Sequence, residues 1–128
     1  MNFNSAVPIY LQLMDDIKLR IVSGQLKPGE KMDSVRDLAM QYAVNPNTMQ
    51  KALSELEREN LLFSQRTSGR FVTIDEADIA ALRQNMASEH VETLIEALHG
   101  MGYEDAEIVE LVKNFLEGKA YVNTTTGV

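Results

Sequence analysis

Hydrophobic residues recur three and four positions apart in three stretches of the first half of the chain. Residues at this spacing share one face of an α-helix, so each stretch predicts an amphipathic helix. Ser5 is a candidate N-cap for the first helix, and Ser34 for the second. The third helix follows the turn Asn45-Pro46-Asn47, and Asn60 is its candidate left-handed C-cap. The stretches lie between Pro8 and Gly24, between Ser34 and Ala43, and between Asn45 and Asn60.

The second and third predicted helices are joined by about four residues, the spacing of a helix-turn-helix motif. Two short extended segments follow, Leu62–Gln65 and Arg70–Ile74, and they flank Arg66-Thr67-Ser68-Gly69. Two such segments separated by a few residues that include a glycine predict a β-hairpin. The predicted fold is therefore mostly α with a small β-hairpin, a winged helix-turn-helix followed by further helices.

The second half of the chain predicts a hairpin of two helices. The first runs from the acidic segment Asp75–Asp78 to His99, and Gly100–Tyr103 interrupts it. The second, Glu104–Glu117, is apolar around more than half of its circumference, so it has to be covered on two sides. We expect it to pack against the same hairpin of a second subunit. The expected dimer interface comprises Leu82, Met86, Leu94, Leu98, Ile108, Leu111, Val112 and Phe115.

Charge divides the chain in the same way as the helix pattern. The net charge is -7, yet residues 1–72 carry nine Lys and Arg against eight Asp and Glu, whereas residues 73–128 carry three against eleven. The first half can gather cations on one face, and phosphate would repel the acidic second half. We expect a winged helix-turn-helix over 1–74, a two-helix dimerisation region over 75–120 and a disordered tail over 121–128.

Composition narrows the chemistry that the chain can perform. A length of 128 residues fits one compact domain, or a small domain with an appendage. The absence of cysteine excludes disulfides, zinc–thiolate sites and a thiol nucleophile. No apolar run approaches the roughly 20 residues that span a bilayer, and the N-terminus lacks a secretory signal, so a soluble cytoplasmic protein is expected. No nucleophile–base pair or phosphate loop is present, so we expect neither an enzyme nor a cofactor.

The two histidines, His90 and His99, are expected to be ordinary surface or interface residues. They lie on different faces of the predicted helix and have no carboxylate in a recognisable ligand set. No metal site is therefore expected.

Five blocks of residues, in order, resemble the winged helix-turn-helix of the GntR family of transcriptional regulators. They extend over residues 8–72, and the short two-helix tail is similar to the YtrA-like subfamily. The resemblance implies a homodimer that binds a pseudo-palindromic DNA operator and acts as a repressor. The blocks are Pro8-Ile9-Tyr10 with Gln12, Ile21–Glu30, Ser34–Ala39, Val44–Thr48 with Lys51–Leu53 and Leu56-Glu57, and Gly69–Val72.

The chain departs from the family's usual pattern in three places. Met32-Asp33-Ser34 stands where the family usually has Leu-Pro-Ser, and Asn60 and Thr67 stand where it has glycine. Asp33 either weakens DNA binding by repelling phosphate or serves as an anion at a helix N-terminus.

The resemblance implies that the N-terminal part of the third helix enters the major groove, where short polar or long donor side chains are needed. Asn47 and Gln50 suit base edges, and Thr48 and Lys51 suit phosphate or a thymine methyl group. The alternative for Asn47 and Thr48 is that they only cap the helix.

Arg36 is unusual in the first turn of a helix, where the dipole favours acidic residues. The resemblance assigns it to a phosphate or a guanine, and the alternative is a surface salt bridge to Asp33 or Asp37. The hairpin tip is expected to contact the minor groove or phosphates, unless it is merely solvated. The expected DNA-binding residues are Ser34, Arg36, Asn47, Thr48, Gln50, Lys51, Arg66, Ser68, Gly69 and Arg70.

Two alternatives belong to other functional classes. Asp33 and the charge balance favour a winged helix that has lost DNA affinity and binds a protein partner. The other alternative is a small-molecule sensor with an effector pocket between the C-terminal helices, lined by residues near Met86, Met101 and Tyr103. The identity of such an effector is not specified by the sequence.

Overall fold

The computed structural model describes residues 1–118, and within them five helices and one antiparallel hairpin follow the expected order. The mostly α winged helix-turn-helix with C-terminal helices is thereby confirmed. The expected tail over 121–128 and the last two residues of the 75–120 region lie outside the described residues. The elements are α1 (Ile9–Val22), α2 (Val35–Tyr42), α3 (Pro46–Arg58), β1 (Leu62–Gln65), β2 (Gly69–Val72), α4 (Glu76–Gly100) and α5 (Asp105–Leu116).

The chain forms two compact units, and the boundary between them falls inside α4. The first unit comprises residues 1–84, and the second begins at Asn85. Ile79 and Leu82 pack against the core of the first unit, so the first turns of α4 belong to it. None of the helices within residues 1–118 is long and apolar enough to cross a membrane.

The core of the first unit lies between α1, α2, α3 and the hairpin. The apolar face expected for α3 is confirmed, because its four core residues, Met49, Ala52, Leu53 and Leu56, are fully buried. The largest side chains below 2% exposure are Leu13, Ile17, Met49, Leu53, Leu56 and Val72.

The expected N-cap at Ser5 is wrong, because α1 begins at Ile9 with Pro8 in the N-cap position. The side chain of Gln12 organises this end of the helix instead. Its Nε2 donates to the carbonyl oxygens of Asn4 (2.7 Å) and Val7 (2.8 Å), and its Oε1 accepts from the Asn4 amide. These bonds tie the N-terminal segment to the first turn.

A half-buried tyrosine joins α2 to α1. The Tyr42 hydroxyl donates to Asp16 Oδ2 and accepts from Arg20 Nη1 at 3.1 Å. Burial and the bond to Asp16 raise the pKa of Tyr42, and Arg20 opposes them in part. The phenol therefore remains protonated at neutral pH and holds α2 against α1.

Side-chain and backbone caps fix the ends of the helix-turn-helix motif. Ser34 Oγ accepts from the Asp37 amide at 3.1 Å, which confirms the expected cap of α2. Asn45 Oδ1 accepts from the Asn47 amide at 2.7 Å, and Pro46 occupies the first turn of α3. The left-handed conformation expected for Asn60 is confirmed by its φ of 63°.

Ala43 ends α2 in the left-handed region, with φ 55° and ψ 48°. This conformation costs a residue with a Cβ roughly 1–2 kcal/mol and costs glycine almost nothing. Although glycine also loses more entropy on folding, we expect Ala43→Gly to raise the free energy of unfolding by about 0.5–1 kcal/mol. Urea unfolding followed by circular dichroism measures the change.

The control for this substitution is Ala80→Gly, at an exposed position inside α4 of the same unit. It should lower the free energy of unfolding by about 1 kcal/mol, as glycine does in a helix interior. Destabilisation of similar size by both substitutions would contradict the account of Ala43.

The wing is the hairpin formed by β1 and β2. Its two strands pair in a register that places Ser64 opposite Arg70 and Gln65 opposite Gly69. The second strand runs from Gly69 to Val72 rather than from Arg70 to Ile74, and beyond its end the Thr73 amide donates one further hydrogen bond in the same register to the Leu61 carbonyl at 2.9 Å. The segment before α2 lies along the other edge of β2, where the Met32 amide donates to the Arg70 carbonyl at 2.8 Å. The wing and the start of α2 are thus adjacent.

In the second unit, a capping box starts α5. Glu104 and Glu107 exchange side-chain and backbone hydrogen bonds at its N-terminus. Leu98 and Ile108 are the buried residues of this unit within the described chain. His99 Nε2 lies 2.6 Å from Asp105 Oδ1 across the turn between the helices.

Candidate nucleic-acid interface

The wing and the start of α2 line an open groove in the first unit. Residues 31–35, Asp37 and residues 64–70 form its walls. The structure therefore brings together five of the expected DNA-binding residues: Ser34, Arg66, Ser68, Gly69 and Arg70. Gly69 is required at the tip, because its φ is 109° and an added Cβ would lie 3.3 Å from Lys31 Cε.

Arg36 is exposed at the N-terminal end of α2, and within residues 1–118 it forms no ion pair. The salt bridge to Asp33 or Asp37, considered as the alternative, is therefore not formed. The carboxylate of Asp33 accepts from Gln41 Nε2 at 2.9 Å instead. Arg36 remains a cation without an internal partner, at a position where the helix dipole does not stabilise it.

The first turns of α3 present polar side chains to solvent. Because Asn45 supplies the cap, the alternative in which Asn47 and Thr48 serve only as caps is wrong. Asn47 is exposed and Thr48 is half-buried. Gln50 is exposed, and its Nε2 donates to Ser54 Oγ at 3.0 Å, one turn further along the helix.

Lys51 has a partner that the sequence pattern did not indicate. Its Nζ lies 4.1 Å from the centroid of the Tyr10 ring, which packs against the core from α1. A cation over an aromatic face at an exposed site gains about 0.5–1 kcal/mol. The ring restricts where the ammonium group can lie, and Lys51 stays exposed.

Arg70 is not the free cation at the wing tip that the sequence suggested. Its Nε donates to Glu57 Oε1 in α3, and its side chain is only 18% exposed. Ser64 Oγ donates to the same oxygen. Burial tends to raise the pKa of Glu57, but the hydrogen bonds from Ser64 and Arg70 and the charge of Arg70 outweigh it and lower the pKa below 4.5.

The lowered pKa of Glu57 makes part of the stability dependent on pH. A carboxyl group with a lower pKa in the folded chain stabilises the fold above its unfolded pKa of 4.5, and this contribution is lost as the pH falls through the folded pKa. We expect Glu57→Gln to lower the free energy of unfolding by about 1 kcal/mol at neutral pH. The difference from wild type should disappear as the pH falls below 4.5, measured by chemical denaturation at each pH.

Glu55→Gln is the matched control, because Glu55 lies on the same helix and pairs loosely with Arg58 at 3.5 Å. Its effect should stay within about 0.5 kcal/mol at every pH. A difference between wild type and Glu57→Gln that persists unchanged into acid would contradict the proposed linkage.

The residues expected at the dimer interface divide into three groups. Leu82 packs against the core of the first unit of its own chain, so its position is explained without a partner. Leu98 and Ile108 are buried within the second unit. The others are half-buried or exposed: Met86, Leu94, Leu111, Val112 and Phe115.

The second unit also exposes large apolar residues that are not among those expected at the dimer interface. Val109 is 66% and Leu116 83% exposed, and Val91 is 52% exposed. Several large apolar residues exposed on two consecutive helices indicate an interaction site more than a single exposed residue does. The described chain leaves this surface uncovered.

Met101 and Tyr103, two of the residues expected around an effector pocket, do not line the same depression of residues 1–118. Tyr103 lines an open depression together with His99, Glu104 and Asp105. Met101 is 71% exposed and is not part of that lining. Within residues 1–118, no group of three potential ligands could hold a metal ion.

Comparison with known proteins gives a family and close relatives. The model of the gntR family of bacterial regulatory proteins matches residues 9–72. The uncharacterized HTH-type transcriptional regulator YhcF of Bacillus subtilis is 37% identical, over 91% of this chain and 96% of its own length. The HTH-type transcriptional repressor YtrA of the same organism is 34% identical, over 85% of both chains.

Solved structures with the same fold include one bound to DNA. A GntR family transcriptional regulator from Listeria monocytogenes superposes with a TM-score of 0.82 at 34% identity, over 88% of this chain and 98% of its own. The DNA-binding domain of AraR in complex with its operator ORR3 has a TM-score of 0.51 at 29% identity, over 57% of this chain and 88% of its own.

Proposed function

This chain belongs to the GntR family of bacterial regulatory proteins and is a DNA-binding transcriptional regulator, and we propose that it is a homodimeric repressor of a pseudo-palindromic operator. The first unit binds DNA through α3, the N-terminal end of α2 and the wing. Its proposed place of action is the cytoplasm, where bacterial operators lie.

The observation that carries this proposal is the polar, exposed start of α3. Asn47 and Gln50 present amide groups, which pair naturally with adenine in the major groove. Lys51 of the same helix and Arg36 at the start of α2, which forms no ion pair within residues 1–118, supply cations. Contacts from such residues to phosphates fix the register of a protein on DNA. We assign base contacts to Asn47 and Gln50, and phosphate contacts to Arg36 and Lys51.

The wing completes the proposed interface. Arg66 and Ser68 are exposed at its tip, where Gly69 lets the backbone approach DNA closely. The net negative charge of the chain does not oppose this, because residues 73–128 carry all of the excess acid. Excess acid outside the proposed DNA-binding residues lowers nonspecific binding more than specific binding.

The apolar surface of the second unit supports the homodimer. Exposed leucine and valine side chains on α4 and α5 need a cover, and a second copy of the same surface covers them symmetrically. Two-fold symmetry in the protein requires an inverted repeat in DNA, with half-sites separated by about one helical turn.

Selection from a pool of random duplex DNA with the purified full-length chain tests this function directly. At about 0.15 M salt, where nonspecific phosphate attraction is weak, we expect the bound fraction to be enriched in an inverted repeat. Recovery of unrelated sequences by a folded, dimeric sample would contradict the proposal and would favour the alternative of a protein-binding winged helix.

A further inference from the structure

Both strands of the wing are hydrogen-bonded to the same carboxylate oxygen of α3. Ser64 and Arg70 face each other across the hairpin. Ser64 Oγ and Arg70 Nε each donate a hydrogen bond to Glu57 Oε1. A single residue of α3 therefore binds each strand at the same level of the ladder.

This attachment lies close to the tip of the wing. One cross-strand pair, Gln65 and Gly69, separates it from the turn that carries Arg66. A two-stranded hairpin is only marginally stable by itself, so contacts with neighbouring elements decide how its tip is oriented. The segment before α2 binds the free edge of β2, and Glu57 binds both strands from α3. Glu57 makes these contacts from the helix that also carries the proposed base-contacting residues.

We propose that Glu57 is a positioning residue for DNA binding, which holds the wing at the angle to α3 where Arg66 meets the DNA backbone. The inference rests on the proposed function. Glu57 acts through the wing and does not touch DNA, since its carboxylate is turned toward Ser64 and Arg70 and its side chain is 29% exposed. Arg70 belongs to this anchor and not to the set of DNA contacts.

Positioning by Glu57 matters because a polar contact with DNA is favourable only when its two groups are precisely placed. A guanidinium group has to lie within about 0.5 Å of its productive position to bind a phosphate well. A wing released from α3 can still bring Arg66 to DNA, but it loses the restriction that made the contact favourable. Loss of Glu57 should therefore remove the contribution of Arg66 specifically, and leave that of Arg36 in α2 intact.

A double-mutant cycle tests this proposal. Affinities are measured by fluorescence anisotropy at about 0.15 M salt, with a labelled duplex that carries the inverted repeat selected by the wild-type chain. Arg66→Ala should lower affinity about tenfold in the wild-type background. In a Glu57→Ala background, the same substitution should lower affinity less than about twofold, because the two residues are coupled.

A second cycle with Arg36→Ala separates positioning from general damage. Arg36→Ala should keep its full fold-change in the Glu57→Ala background, since distant contacts contribute independently. Circular dichroism checks that each variant is folded. If Glu57→Ala does not fold, Ser64→Ala, which removes one strand's bond to the same oxygen, replaces it in both cycles.

Three outcomes would overturn the inference. In the first, Arg66→Ala lowers DNA affinity as much in the Glu57→Ala background as in the wild type. In the second, Glu57→Ala reduces the affinity effects of Arg36→Ala and Arg66→Ala equally. In the third, Arg66→Ala does not lower the affinity of the wild-type chain. Failure of the wild-type chain to select any duplex is a different result, since it removes the proposed function before the cycle begins.

Discussion

Leu94→Glu is expected to convert the regulator into a monomer and to lower its affinity for the operator by roughly 10²- to 10⁴-fold, the usual gain from linking two binding modules. Leu94 is 44% exposed on α4, among the apolar residues assigned to the dimer. A carboxylate there has to be desolvated against apolar side chains of the partner, which costs several kcal/mol. Sedimentation velocity gives the oligomeric state, and anisotropy with the selected duplex gives the affinity.

The control for Leu94→Glu is Asn85→Glu, which adds a similar charge to an exposed position of the same helix. The two positions lie about half a turn apart around α4, because each residue advances the helix by roughly 100°. Asn85→Glu should leave the dimer and the affinity unchanged. A Leu94→Glu protein that remains dimeric would contradict the assignment of this surface, and a monomer with full affinity would contradict the symmetric operator.

Local sequence signals were sufficient to predict the elements of the fold. The side-chain cap expected at Ser34 and the left-handed conformation expected at Asn60 follow from the residue types themselves, and both were confirmed. The apolar face of α3 was also confirmed, because helical periodicity states directly which residues enter the core. The cap at Ser5 was wrong because the Gln12 side chain, rather than the nearest hydroxyl, organises the start of α1.

The internal partners of the candidate site could not be predicted in this way. Glu57 meets Arg70 and Lys51 meets Tyr10 only after the chain has folded, and no periodicity links residues on different elements. The sequence therefore treated Arg70 as a cation available to DNA. The sequence shows which cationic residues the candidate site contains. Whether each of them is free to contact DNA depends on the carboxylates and aromatic rings that lie beside it in the folded chain.

The double substitution Arg36→Ala, Lys51→Ala is expected to lower operator affinity by at least about 100-fold, since each cation contacting DNA contributes roughly 1–3 kcal/mol. A homodimer makes both contacts twice, so the double substitution removes them from both half-sites of the operator. The slope of log affinity against log salt should also become shallower, by about 0.9 for each phosphate contact removed. A titration at several salt concentrations measures both quantities on the same duplex.

Arg58→Ala is the matched control, because Arg58 also lies on α3, but at its C-terminal end and next to Glu55. It should change neither the affinity nor the salt slope, although it removes a side chain of the same charge. The stability of the double variant needs a separate measurement, since Lys51 also contacts the ring of Tyr10. An affinity loss with an unchanged salt slope would show that Arg36 and Lys51 act through the fold rather than through phosphate, and would contradict their assignment to the DNA backbone.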